Sequence, residues 1–196
     1  MKQIVLMLTA LAMLTFPVIA SAATWTLDPE HSYIGFKIRH LMVSNVKGDF
    51  KKYTGTIEID DKDLAKSKVN VAIETASIDT GIAKRDDHLR SADFFDVAKY
   101  PIMSYVSRKV VSAGEGKLKV YGDLTLHGVT REVVLDVDGP TAAIKDPWGN
   151  TKRGASAAAK INRKDFGLTW NKAVETGGVV VGDEVTILIE VELLKK

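Results

Sequence analysis

The chain contains no cysteine among its 196 residues. That excludes a disulfide framework, a thiolate metal site, a nucleophilic thiol and a lipid-modified cysteine, so stability must come from packing. An excess of one charge is missing too: 27 Lys and Arg stand against 25 Asp and Glu, a net +2 that falls to about +1 without Lys2. The charges are interspersed, and this overall balance favours neither nucleic acid nor an anionic membrane surface. H-x-x-x-H and H-E-x-x-H spacings, G-x-S-x-G and a Gly-rich phosphate loop are all absent, which removes the common signatures of zinc hydrolases, serine hydrolases and nucleotide enzymes. After the first residues, no apolar run approaches the length of a membrane span.

What is present begins with a leader. Met1-Lys2 is a short basic stretch, Ile4 to Phe16 is apolar, and Ala20-Ser21-Ala22 has the small-x-small form of a cleavage site. Residues 1–22 are therefore expected to be a removed signal peptide and 23–196 one exported, periplasmic domain. The rest of the chain alternates. Tyr33–His40, Val46–Ile59 with a bend, Val69–Glu74, Ile102–Ser107, Lys117–Leu126, Arg131–Asp138, Arg153–Ile161 and Asp183–Leu194 each place every second residue on one face, as half-buried strands do. Such a series predicts an antiparallel sandwich or barrel of eight strands. Closure of eight strands leaves room for side chains or one small ligand. In the seventh run, Ala155, Ala157 and Ala159 supply little filling volume, although alanine also allows a local helix. Gly55 and Gly122 would remove more volume, against which Phe36, Phe50 and Tyr105 are large enough to fill the space.

One stretch breaks the alternation. In Ser77 to Ser107, Thr80 is placed to cap a short helix, Asp86 and Arg90 have four-residue spacing, and Ile82 and Leu89 lie near one stripe. The rings of Phe94 and Phe95 follow, and Tyr100-Pro101 returns the chain to extended structure. This insertion reads either as a lid that pairs its own charges, Arg85 and Arg90 with Asp86, Asp87 or Asp93, or as the mouth of a ligand site.

Taken in order, these residues resemble the YceI-like family of exported polyisoprenoid-binding proteins. The resemblance rests on D-x-x-H-S from Asp28, H-L-M-V-S-N-V-K-G-D-F from His40, S-I-D-T with R-D-D-H-L-R-S-A-D-F-F-D in 77–96, and K-Y-P from Lys99. It continues in G-D-L-T-L-H-G-V-T from Gly122, D-P-W-G from Asp146, R-K-D-F-G-L from Arg163 and V-G-D-E-V from Val181. It implies an all-β, eight-stranded antiparallel lipocalin-like barrel with a short helical insertion between the third and fourth strands. It also implies an apolar interior that holds a long-chain lipid, a polyprenyl phosphate or an isoprenoid quinone, without catalysis. Many relatives carry Phe where this chain has Ala155, which implies a roomier interior here.

The inward rows nominate tail-binding residues Ile34, Phe36, Ile38, Val71, Ile73, Leu124, Leu126, Leu135, Ala157, Ala159 and Ile161. The insertion and its surroundings add Leu89, Phe94, Phe95, Met103, Tyr105 and Trp170. His40, Arg85, His88 and Arg90 are the head-group candidates, because arginines suit a diphosphate and one or two donors suffice for a quinone. Trp148 and Phe166, like Trp170, lie near loops where rings tend to seal a core. No metal and no cofactor are expected apart from the bound isoprenoid or other long-chain amphipathic lipid. Transient membrane contact and homodimerisation are allowed as partnerships; nucleic acid is not. The rival reading is an enzyme for a small lipid-like substrate, built on the His88/Arg85 cluster or on His31, His40, His88 and His127 with Asp28, Asp86, Asp87 and Asp123. A third reading, a stress protein or inhibitor that works by binding another protein, lacks the large apolar patch it would need in the solvent-facing rows.

Overall fold

The computed structural model describes residues 22–174 and 177–196. Apart from Ala22, the leader predicted at 1–22 lies outside the described residues. The strands are β1 (Ala23–Leu27), β2 (Tyr33–His40), β3 (Ser44–Phe50), β4 (Tyr53–Ile59), β5 (Lys68–Glu74), β6 (Ile78–Asp79), β7 (Ile102–Ser112), β8 (Lys117–Leu126), β9 (Val129–Asp138), β10 (Ile144–Lys145), β11 (Thr151–Asn162) and β12 (Val181–Lys195), with one helix, α1 (Ala83–Arg90).

Their pairing closes a ring. The long β12 runs beside both β1 and β2, so those two act as one interrupted strand. β3 and β4 follow as one strand bent at Lys51-Lys52, pairing β2 and β1 respectively. The ladder then passes through β5, β7, β8, β9 and β11, and β11 returns to β12. The result is a closed, eight-stranded antiparallel barrel with the helix between β5 and β7. Closure removes the unpaired edges that an open sheet would have to protect. All eight alternating runs are strands; β1, β6 and β10 were not foreseen.

The alanine-rich run is a strand for its whole length. In register, Ala155, Ala157, Ala159 and Ile161 oppose Val191, Ile189, Ile187 and Val185. Small residues thus face large aliphatic ones across the seam, and this packing overrides alanine's local helical preference. The two predicted glycine gaps are not empty. The space a side chain would need at Gly122 holds the Tyr105 ring, and at Gly55 it holds Leu27. These glycines admit neighbours instead of enlarging the interior.

The insertion forms a helix with a different beginning from the one predicted. Ile82 is its N-cap and gives no side-chain cap. Thr80 instead donates its N–H and its hydroxyl to the buried Asp86 carboxylate. With Asp86 engaged there, Arg90 pairs with Asp87 at 3.1 Å and not with Asp86. The stripe is also incomplete, because Ile82 is exposed while Leu89 packs against the core.

At the barrel end away from α1, Trp25 joins Ile57, Ile59 and Leu193 in a second apolar cluster. Above it, the break between β1 and β2 is tied to β11 and β12 by ions. Lys152 Nζ lies 3.0 Å from both Asp28 Oδ2 and Glu192 Oε2, and His31 Nδ1 is 3.0 Å from Asp28 Oδ2. Burial pushes the Asp28 carboxyl upward, but hydrogen bonds from Lys152, His31 and the Glu30 N–H outweigh it and hold the group below its ordinary value. The folded chain therefore takes up this proton less readily than the unfolded chain. The stabilisation is present above the unfolded value of about 3.9 and is lost as pH falls through the lower folded value. Asp28→Asn is expected to lower the melting temperature at neutral pH and to flatten its decline below about pH 4, as read by thermal denaturation across pH. An unchanged acid limb would remove Asp28 from this role.

Candidate functional site

Inside the barrel lies a cavity of about 400 Å³ with a largely aliphatic and aromatic lining. It begins beneath α1, at Arg39, His40, Arg85, His88 and Trp170, and reaches Leu118, Val137 and Leu193 near the opposite end. Val181 and Leu193 on β12 both line it. At about 3.3 Å per residue and a strand tilt of about 40°, it spans roughly 30 Å along the barrel axis.

The cavity brings together every predicted tail residue except Ala159, which is buried in the core without lining it. The sequence selection missed much of the wall. Leu27, Phe50, Val110, Leu118, Val120 and Val133 contribute, as does the β12 row of Val185, Ile187, Ile189, Val191 and Leu193. Their two-residue period was the available signal, since the tail set drew nothing from that row. Tyr105 crosses the interior over Gly122 and points its hydroxyl at the carbonyls of Val120 and Val133, at 2.9 and 3.2 Å. Burial pushes this phenol far above its ordinary value, so it stays neutral and its polar atom is satisfied by the wall.

Polar side chains gather at the α1 end. Arg85 donates from Nε to Thr80 Oγ1 and from Nη2 to the Thr80 carbonyl, each at 2.7 Å. Its third nitrogen, Nη1, completes a guanidinium that lines the cavity. His88 Nε2 is 2.8 Å from Asp93 Oδ2, and the imidazole meets Phe94 and Trp170 edge to face at 5.0 and 4.9 Å. With Phe94 and Trp170 at 5.1 Å, three rings form one wall of the mouth. His40 lines the mouth at the end of β2, whereas Arg90 does not reach the cavity. Its guanidinium donates to the carbonyls of Ala76 and Ile78, at 2.8 and 2.7 Å, and so anchors the insertion.

Other nominated groups separate. Phe166 is buried, whereas Trp148 is 82% exposed and seals nothing. Arg163 also lines the cavity; it is buried and donates to the carbonyls of Leu168 and, at 2.8 Å, Gly182, tying the loop after β11 to the start of β12. His127 meets the Tyr100 ring at a tilt, with centroids 4.5 Å apart. Among the described residues, Asp28, His31 and Glu192 are the three ligand-type side chains that converge, and the Lys152 ammonium already bridges their two carboxylates.

A closed antiparallel barrel with a long apolar cavity and a polar mouth under a helix is a lipocalin-like binding barrel. Residues 25–193 match the model of the YceI-like domain, and the chain belongs to that family. A UPF0312 protein of Photorhabdus laumondii is 44% identical over 168 residues, covering 85% of this chain and 86% of the relative. Another, of Vibrio cholerae, is 39% identical over 170 residues, covering 86% and 89%. Among solved structures, the Campylobacter jejuni YceI protein superposes with a TM-score of 0.68 at 38% identity, covering 82% of this chain and 91% of that one. A polyisoprenoid binding domain from Saccharophagus degradans, implicated in plant cell wall breakdown, shares the fold with a TM-score of 0.65 at 17% identity, covering 89% and 99%.

Because the Asp86 carboxylate is the buried acceptor for Thr80, Asp86→Ala is expected to loosen the insertion by about 1–3 kcal/mol. Amide hydrogen exchange should then quicken over 83–90 while β8 and β9 keep their protection. Equal loss of protection throughout would mean that Asp86 supports the barrel as a whole.

Proposed function

We propose that this protein is a periplasmic, non-catalytic carrier that holds one long-chain isoprenoid, or a similar amphipathic lipid, in its barrel. The observation that carries the reading is the distribution of polarity: a roughly 30 Å wall of aliphatic and aromatic side chains with its cations and imidazoles gathered at one end. A linear apolar tail needs such a wall, and an amphipathic molecule is oriented by the difference between the ends. The cavity volume lies within the range of ligand sites. The family membership and the polyisoprenoid-binding neighbour support the same chemistry. A polyprenyl phosphate or a quinone would sit with its head beneath α1, within reach of Arg85 Nη1, His88 and His40. Carriage, storage and protection all use this arrangement.

Each buried five-carbon unit gains about 4 kcal/mol against water. In a cell the relevant reference is a bilayer, where the tail is already in hydrocarbon, so transfer into the barrel is close to neutral. Holding is therefore kinetic, and exchange takes place at membranes.

Two substitutions test this reading with polyprenyl phosphate and isoprenoid quinone supplied in detergent micelles. Ala157→Trp fills the tunnel midway and is expected to abolish uptake of both while the barrel still melts cooperatively. Arg85→Gln removes a charged donor and is expected to weaken a phosphate head by about tenfold or more, with a quinone affected much less. Unchanged uptake by the Ala157→Trp protein would place the ligand outside the tunnel and overturn the proposal.

A further inference from the structure

The turn joining β2 to β3 is costly in conformation and apolar in composition. Leu41 and Met42 both have positive φ, at 48° and 59°, and the Val43 N–H closes the turn on the His40 carbonyl at 3.1 Å. Hairpins with two left-handed central residues ordinarily carry Asn, Asp or Gly there, because other side chains are disfavoured. Here the positions hold Leu and Met, and with Val43 they are 41%, 49% and 76% exposed. The Leu41 N–H donates to the Val180 carbonyl at 2.8 Å and Met42 lies beside Gly178, so the tip is braced against the segment before β12, yet Val43 and about half of Leu41 and Met42 stay in solvent. A backbone held in an unfavourable region with apolar side chains left partly in solvent points to a use for those side chains.

Immediately below the tip, the outer face of the same hairpin is basic. Lys37 and Lys47 are directly opposed across the ladder, a like-charge pairing that opposes folding. Arg39 lies on the same face and steadies the turn by donating Nη2 to the Met42 carbonyl at 2.9 Å. None of the three makes an ion pair among the described residues, although most strand lysines elsewhere face a carboxylate, as Lys117 does Asp138 and Lys119 does Asp136. The hairpin also forms one lip of the tunnel, since Ile38, Arg39, His40 and Val46 line it.

We propose that the β2–β3 hairpin is a docking element for an anionic phospholipid bilayer, with Leu41, Met42 and Val43 entering the interface and Lys37, Arg39 and Lys47 meeting the headgroups. Apolar groups at the leading edge with cations one layer behind match the depth profile of such a surface. Docking there would present the polar mouth to the membrane. The overall charge balance conceals this arrangement, because acidic residues elsewhere in the chain offset these cations. The inference rests on the tunnel's being a lipid site, but its test does not require a loaded tunnel.

The experiment is flotation with vesicles of phosphatidylcholine alone and of phosphatidylcholine with phosphatidylglycerol, at low and high salt, beside the micelle uptake assay. The wild type is expected to float with the anionic vesicles only and to be released by salt. The double variant Leu41→Asn, Met42→Gly installs a favoured turn. It should melt at a higher temperature yet partition into anionic vesicles about tenfold less or worse. Lys37→Glu and Lys47→Glu should each reduce partitioning by about fivefold or more. All these variants should load from micelles as the wild type does. Vesicle binding unaffected by the variants, or a wild type that loads from micelles but ignores both vesicle types, would overturn the proposal. So would self-association that the same variants abolish, which would assign the tip to a second copy of the chain. Failure to load from micelles would instead count against the tunnel's ligand, and flotation would still read the docking surface on its own.

Discussion

Everything else in this molecule depends on the seam between β11 and β12. Eleven consecutive residue pairs run from Lys152↔Leu194 to Asn162↔Glu184, and without them the remaining strands would form an open sheet with two long edges. The same seam sets the interior. Its inward row sets Ala155, Ala157 and Ala159 against Val191, Ile189 and Ile187, so β11 contributes backbone for closure and little volume. A barrel of eight strands is small enough for side chains to fill. This one closes across its least bulky strand and keeps a tunnel.

The ends of that tunnel differ in chemistry. Trp25, Ile57, Ile59 and Leu193 pack together at one end, with the Asp28–Lys152–Glu192 ion network above them. At the other, α1 brings Arg85, His88 and a three-ring cluster to the rim. The insertion both anchors itself and lines one end of the cavity. Arg90 and Asp86 hold it in place through backbone carbonyls and Thr80, and Arg85 and His88 remain at the cavity. A single eight-residue helix thus combines anchoring and mouth-forming side chains.

The strands were legible because a two-residue apolar period has one physical interpretation when short turns separate the runs. Most of the cavity wall followed from the same period, and its gap at Val185, Ile187, Ile189 and Val191 came from reading the last strand's apolar row without assigning it to the lining. What failed was local and polar. Thr80 and the Asp86–Arg90 spacing describe an isolated helix, whereas the folded chain offered Asp86 a partner outside the helix and Arg90 two carbonyls. Gly55 and Gly122 were read as missing volume, yet sequence alone does not reveal that Leu27 and Tyr105 lean into those places. β1 escaped notice because five residues beside a predicted leader present too short a run for periodicity to mark.

The most direct test of the central claim is native mass spectrometry of the protein released gently from its source cells, with organic extraction of the same sample to identify any adduct against a mock purification. One isoprenoid molecule per chain, absent from the mock sample, is the predicted result. A chain at its bare polypeptide mass that also refuses added polyprenyl phosphate and quinone would contradict the account.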